Sequence, residues 1–445
     1  MTDTNYNLNL DLIARWNRWG SHRLASGFQR DIVARIVPFL RTPEVVTLVG
    51  PRRAGKTTVL FQVLDAVLAT GVPVQGTLHL NLEEPGFSAE LGPAFLDRIW
   101  DLWRREVFPE GRAWVFLDEV QRLPGWERWV RTRVERDGAK VFVTGSSSAL
   151  LSRELGTLLT GRHVSFRVFP LSFGEYLRFR GVPTGGGPGS SPNLEHALLD
   201  YLRWGGFPEV VLSQDPERRS ALLKQYVDDI LFKDVALRHG VRDLPTLRHL
   251  AIHLLKQTAS LQSHQRLARA FGVSLDLARA YVGFLQEAFL IETMPFMSLK
   301  ATERQRNPWK VHAVDTGLRT AMALWGSEDL GRGAETMVHA QVRRSSPDGL
   351  FWWKGAGEVD LVVQRGIDIT EVLQVTWSEG AALPEREIAA LREVRRAFPG
   401  ARRRLIVGPG AAPQIEGAES VSLARFLLEG RDEPESGRPG GILPT

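Results

Sequence analysis

The chain has no cysteine in its 445 residues. That absence excludes disulfides, thiolate zinc sites and cysteine nucleophiles. Long apolar runs are missing as well, and no stretch reaches the length needed to span a bilayer. The opening residues, MTDTNYNLNLDLIARW, lack the basic start and apolar core of a signal peptide. Together these absences lead to the expectation of a cytoplasmic protein with no membrane partner. No internal repeat is visible, and the guanine-reading sequence Asn-Lys-x-Asp does not occur.

What is present is the composition of a soluble globular protein, 43% hydrophobic and 24% charged. The length suits about two to four domains. The formal net charge is +5 and the pI is about 9.6. Arginine supplies most of the positive charge, which suits phosphate recognition by planar forks. A bias this mild permits a polyanionic partner without requiring one.

Pattern divides the chain further. Residues 1–44 read as a helical segment, in which RDIVARIVPFLRTP has apolar residues at helical spacing and stops at Pro43. Residues 45–180 alternate short apolar runs (VVTLVG, GTLHLNLE, AWVFLDE, KVFVTGS) with helical stretches. Such alternation predicts an α/β core with a parallel sheet covered on both faces. After the turn-rich stretch GVPTGGGPGSSPN, residues 194–300 read as mainly helical. Residues 301–428 return to strands (LFWWKG, EVDLVVQRG, TEVLQVTW, RRLIVG), and 429–445 read as a disordered tail.

The chemistry-bearing motifs begin at Gly50-Pro51-Arg52-Arg53-Ala54-Gly55-Lys56-Thr57, a complete G-x-x-x-x-G-K-[ST] phosphate loop between a strand and a helix. Gly50, Arg53, Ala54, Gly55, Lys56, Thr57 and Thr58 are the expected nucleotide contacts. Backbone N–H groups face the phosphates, Lys56 neutralises them and the Thr57 hydroxyl ligates Mg²⁺. Four apolar residues, Trp114 to Leu117, then lead to Asp118-Glu119. Asp118 is placed on Mg²⁺ and Glu119 on the attacking water. The strand before Ser146 ends in a run of hydroxyls. Ser146 is taken as the phosphate sensor, with Thr144 and Ser147 chemically equivalent candidates and a helix cap as the structural alternative. Arg162 is a candidate arginine finger toward a neighbouring subunit.

These motifs carry a resemblance. VGPRRAGKTT, FLDEVQRLPGWERWVR, VFVTGSSSALLSRELGTLLTGR, FPLSFGEYL and YLRWGGFPEVV resemble, in order, AAA-type ATPases that carry a C-terminal domain of unknown function 4143. The likeness covers about Arg30 to Val211 and weakens toward Leu405. It implies ATP as the nucleotide and an AAA-like core related to the signal-transducing ATPases with numerous domains. It further implies a helical lid with a winged-helix segment, and a C-terminal domain similar to PD-(D/E)XK nucleases. Gly206-Phe207-Pro208 resembles the Gly-x-Pro turn of that group, which makes Pro208 a nucleotide-side residue.

SHQRLARAFGVSLDLARAYVGFLQEAFLIETMPF reads directly as helix, glycine turn, helix and wing. Its outer face offers Arg279 and Gln286 but also Asp276 and Glu287, a thin surface for reading DNA. In the last domain, Glu335, Asp360 and Gln374 occupy the places of a nuclease metal set, with Gln374 replacing an acid and Thr376 replacing the lysine. Lys354 is the candidate substitute. A vestigial site is expected, with nuclease activity unexpected. Trp352, Trp353 and Trp377 read as core rather than base-stacking groups. The expected function is a Mg²⁺-dependent homo-oligomeric ATPase, with a hexamer as one form, acting on DNA in repair or recombination by branch migration, unwinding or translocation. The alternative is a slow nucleotide switch or scaffold in signalling or defence.

Overall fold

The computed structural model describes residues 10–20, 25–87, 92–148, 162–183, 192–323, 329–345, 348–355, 357–377, 385–409 and 415–429. The expected disordered tail lies outside them, apart from its first residue. The chain forms two compact units, each assembled from separated segments. The first takes Met1–Leu171, Gly206–His253 and Leu267–Glu292, and the second takes Ser172–Gly205, Leu254–Arg266 and Thr293–Thr445. This differs from contiguous division at 180, 194 and 300. Helices Phe173–Arg180 and Pro192–Trp204 pack with distant C-terminal helices, a long-range choice that local pattern does not encode.

The first unit is built on five parallel strands. They are β1 (Val45–Val49), β2 (Thr77–Asn81), β3 (Trp114–Asp118), β4 (Lys140–Gly145) and β5 (His163–Arg167), in the order β2-β3-β4-β1-β5. Every residue of β1, β3 and β4 is buried. Side chains alternate between the two covered faces, as the two-residue strand period requires. Val115, Leu117, Val141 and Val143 enter one core, whereas Trp114, Phe116 and Phe142 enter the other. The registers Leu48↔Thr144 and Leu117↔Val143 align the carboxyl ends of β1, β3 and β4 at one edge. The apolar runs foretold four of these strands. β5 escaped notice because His163 and Ser165 interrupt its apolar character.

Helical segments complete this unit. Pro208–Leu212 and Pro216–Asp229 lead into a π-helical stretch, Ile230–Ala236, which continues as Leu237–His239. Such widened turns redirect side chains and recur at functional sites. Helix Leu275–Glu287 is capped by the Ser274 hydroxyl, and the turn before it contains Gly272 at φ +64°. The expected helix, glycine turn and helix are therefore present, followed by strand β7 (Ile291–Met294).

The second unit pairs β6 (Ser260–Gln262) with β8 (Trp309–Ala313). It also holds a mixed sheet of β9 (Gly349–Lys354), β10 (Glu358–Arg365), β11 (Asp368–Thr376), β12 (Arg402–Val407) and β13 (Glu419–Ser422). Strands β9 to β11 are antiparallel, and β11 to β13 run parallel. Trp352 is buried and donates its indole N–H to the Pro308 carbonyl at 3.1 Å, in keeping with a core role.

Candidate nucleotide site

β1 delivers the chain into Gly50. A Cβ there would lie 2.0 Å from the Val168 carbonyl oxygen, so the loop and the strand exit pack backbone against backbone. Gly55 turns the loop into helix Lys56–Ala69 at φ +92°, a left-handed conformation that glycine adopts without steric cost. No side chain caps this helix. Its first N–H groups are therefore left to an anion, reinforced by the helix dipole.

Lys56 is almost wholly buried. Its ammonium donates to the carbonyls of Gly50 (3.2 Å) and Pro51 (3.3 Å) and lies 3.4 Å from Glu119 Oε1. The Thr57 hydroxyl donates to Asp118 Oδ2 at 2.7 Å, joining the two expected Mg²⁺ residues. Thr144 donates to the other Asp118 oxygen and accepts the Glu119 N–H at 3.0 Å. Burial and the neighbouring Glu119 raise the Asp118 carboxyl to about 6, against the pull of Thr144, Thr57 and Lys56. Such a group gains from a bound cation, which removes the repulsion. The hydroxyl and two carboxylates thus fit Mg²⁺ as a hard, oxygen-seeking ion. Glu119 itself sits in the left-handed region at φ +58°, an uncommon conformation for a side chain of its size.

Ser146 reaches farther than a cap would. Its hydroxyl donates to Asp234 Oδ1 at 3.0 Å from within the π-helical stretch, and Gln121 donates to it at 3.2 Å. The same Gln121 amide is bonded to Glu119 Oε2. Asp234 Oδ2 accepts from Arg52 Nε at 2.7 Å, and Arg52 also meets Glu83 at 3.2 Å. Burial raises Asp234, while Arg52 and Ser146 oppose that shift. Neighbouring Ser147 donates to Glu287 at 3.0 Å, at the end of helix Leu275–Glu287. That acid also faces Arg238 and His239, each 3.6 Å away.

Arg52, Arg53, Thr57, Glu83, Glu119 and Lys233 are among the residues that line a cleft of about 700 Å³. Arg53, at φ +65°, lies 3.9 Å from Glu209. Ala54 is buried, and its carbonyl accepts from buried Arg30 at 2.8 Å. Thr58 continues the first helical turn. Pro208 opens its own helix, and its ring lies 3.8 Å from where a Gly55 Cβ would stand. Arg162 is not brought to this cleft. It precedes β5 at the opposite end of the sheet, exposed and paired with Glu135. Sequence reasoning missed Arg30, Gln121 and Asp234. For Asp234 no local signal exists, since it is 88 residues from Ser146.

In the second unit, Glu335 and Asp360 are brought together, but by neither of the lysine positions considered from sequence. Lys310 of β8 bridges them, while Lys354 stands opposite Glu358 at the sheet edge. Thr376 therefore does not leave the acids without an ammonium. Among the described residues, no three His, Asp or Glu side chains alone stand in metal-holding geometry.

Comparison with known proteins agrees with the first unit. Residues 42–177 match the family described as an AAA domain, and the sheet with its phosphate loop is accordingly an AAA-type P-loop core. Residues 195–329 match a different family, domain of unknown function 8612, so the 4143 domain and its nuclease-like fold stay expectations of sequence. An uncharacterized protein of Methanocaldococcus jannaschii is 28% identical, over 82% of this chain and 81% of its own length. One from Haemophilus influenzae is 26% identical, over 90% and 98%. Among solved structures, the RuvB Holliday junction branch migration motor of Thermotoga maritima is 17% identical, over 60% of this chain and 90% of its own, with a TM-score of 0.30. So loose a superposition supports neither fold nor activity for this chain. Among the described residues no helix is long and apolar enough to cross a membrane.

Proposed function

We propose that the chain is a Mg²⁺-dependent ATP hydrolase that works as a homo-oligomer on DNA. The observation that carries hydrolysis is the convergence of Lys56, Thr57, Asp118 and Glu119 at one edge of the sheet. Bound Mg²⁺ would neutralise charge on the phosphates, held by Thr57 and Asp118. Lys56 exchanges its loop carbonyls for phosphate oxygens, and the uncapped helix N–H groups complete the cradle. Glu119 orients and polarises the attacking water. Arg162, exposed and remote from its own cleft, serves a neighbouring subunit. DNA as client rests on the basic, arginine-rich composition and on the helix-turn-helix around Gly272.

One observation favours a second reading, a slow nucleotide switch. Gln121 holds Glu119 and Ser146, while Asp234 holds Ser146 and Arg52, so the expected water-activating and sensing groups are all engaged within the protein. On the DNA-reading helix, Arg279 is paired with Asp276 at 3.3 Å. The experiment is steady-state ATP hydrolysis by the wild type and Glu119→Gln, without DNA and with single strands, duplex and a four-way junction, at two salt concentrations. Stimulation by one DNA form, lost in Glu119→Gln and weakened by salt, supports the motor. Tight ATP binding with slow turnover, indifferent to every DNA, replaces it with the switch.

A further inference from the structure

The cleft beside the phosphate loop holds one carboxylate shared by two arginines. Glu83 Oε1 accepts from Arg52 Nη1 at 3.2 Å, from Arg122 Nε at 3.1 Å and from Arg122 Nη2 at 2.8 Å. Two guanidiniums are thus drawn onto a single oxygen. Burial alone would push the Glu83 carboxyl up, but Arg122 and Arg52 outweigh it and hold the group below the usual carboxylate range, so it is an anion at neutral pH. Both sides of the contact are fixed by backbone. The Glu83 N–H donates to Asn81 Oδ1 at 3.0 Å, and the Leu82 N–H donates to the Asp118 carbonyl at 3.1 Å. Arg122 ends the turn Val120–Arg122, which follows Glu119 directly, and stands between the buried side chains of Val120 and Leu123.

The two arginines are not equally tied. Arg52 is held a second time by Asp234, through its Nε at 2.7 Å, and only 15% of its side chain is exposed. Arg122 has 47% of its side chain exposed, and among the described residues Glu83 is the one acid that it meets. Those contacts use Nε and Nη2, which leaves Nη1 for an incoming acceptor. Arg122 lines the same cleft as Thr57 and Glu119, where the end of a polyphosphate would be attacked. Phosphate oxygens match the planar fork of a guanidinium as a carboxylate does, so they can take the place of Glu83. Arg162 cannot do this for its own subunit, because it stands at the opposite end of the sheet.

We propose that Arg122 is a catalytic residue of the ATP hydrolysis assigned to this cleft, a reading on which its role rests, and that it neutralises charge on the transferred phosphate within its own subunit. Glu83 is the placeholder anion that holds it beforehand. In the reaction, the bond from the terminal phosphorus to the ADP oxygen breaks as the bond to water's oxygen forms, and water's proton leaves through Glu119. Arg122 neither gives nor takes a proton, since a guanidinium stays charged at neutral pH. It acts by charge and hydrogen bonds where negative charge develops. One short turn then carries both the group that orients the water and the group that meets that charge.

The test follows ATP hydrolysis and nucleotide affinity side by side in the full-length protein. Arg122→Ala should lower kcat by about 1,000-fold, the worth of an arginine at a transferring phosphate. Affinity for a fluorescent ATP analogue should change by less than about 10-fold, because an interaction made in the transition state is read in kcat. Arg122→Lys keeps the charge without the fork and should recover only part of the rate. Glu83→Gln should tighten the analogue severalfold by removing the competing anion. Arg122→Ala and Lys56→Met chains are also co-expressed so that mixed assemblies form. An arginine acting across a subunit boundary would restore hydrolysis there, whereas Arg122 acting at home leaves them silent. Undiminished kcat in Arg122→Ala beside an active wild type overturns the proposal and leaves the hydrolase reading standing. Restored hydrolysis in the mixed assemblies does the same, and weaker binding in Glu83→Gln overturns the placeholder role. A wild type that binds ATP without any turnover overturns the hydrolase reading itself, and this proposal with it.

Discussion

Replacing Asp118 by asparagine should make the nucleotide-free protein more stable while disabling it. The Asp118 carboxyl is buried among protein atoms and its pKa rises from 3.8 to about 6. One pKa unit corresponds to about 1.4 kcal/mol, so ionised Asp118 costs the fold about 3 kcal/mol at neutral pH. The sign follows from proton counting. Between pH 3.8 and 6 the folded protein holds a proton that the unfolded chain has lost, so stability falls as pH rises through that window and levels off above it. Asparagine carries no charge and keeps both neighbours, since the Thr57 and Thr144 hydroxyls can turn to donate or accept. The variant should therefore exceed the wild type by roughly 6–12 °C in melting temperature at pH 8 in EDTA, taking about 2–4 °C per kcal/mol for a domain of this size. Below about pH 4 the difference should vanish. Saturating Mg²⁺ and ATP should reverse the order, because ligand at about 1,000 times its Kd adds about 4.1 kcal/mol to a protein that binds it. Differential scanning fluorimetry at pH 4, 6 and 8, with and without Mg²⁺ and ATP, gives the comparison. A variant less stable than the wild type in EDTA at pH 8, or a pH-independent difference, would refute the assignment of Asp118 as a strained anion awaiting a cation.

Other expectations follow from the same geometry. Lys56→Met should weaken ATP binding by about 10- to 100-fold, the worth of a hydrogen bond to a charged group, measured by anisotropy of a fluorescent nucleotide. Gly50→Ala places a methyl 2.0 Å from the Val168 carbonyl, and since backbone rather than a flexible side chain must move, thermal unfolding should show a loss of about 3 kcal/mol or more. Asp234→Asn keeps the contact with Ser146 but removes the more buried of the two ion pairs of Arg52, leaving Glu83, so nucleotide affinity should rise severalfold in the same anisotropy assay; unchanged affinity would count against Arg52 as a latched phosphate-side group.

The parts of the site written contiguously were legible in the sequence. The phosphate loop and the Asp118-Glu119 pair each lie on one strand and its exit, so a short window contains their whole chemistry. Asp234 could not be found this way, because a π-helical turn far along the chain sets its direction and nothing in LFKDVA signals a partner just beyond β4. Lys310 was hidden for a related reason. Sequence reasoning sought an ammonium on β11, where a motif would put it, or on β9, whereas the fold supplies one from β8. The strand pattern showed which residues face inward, but not that helix Pro192–Trp204 would pack on helices more than a hundred residues away.

That threading has a consequence for synthesis. The chain passes between its two units five times, so neither can be excised as one continuous piece. When the ribosome has released Arg167, all five strands of the parallel sheet exist, and Lys56 already has Asp118 and Glu119 to meet. The acid that holds Ser146 and Arg52 is still to be translated, and the helix that engages Ser147 comes later again. Because domains emerge amino-terminal end first, the nascent chain passes through an interval in which its phosphate loop is formed but not yet latched.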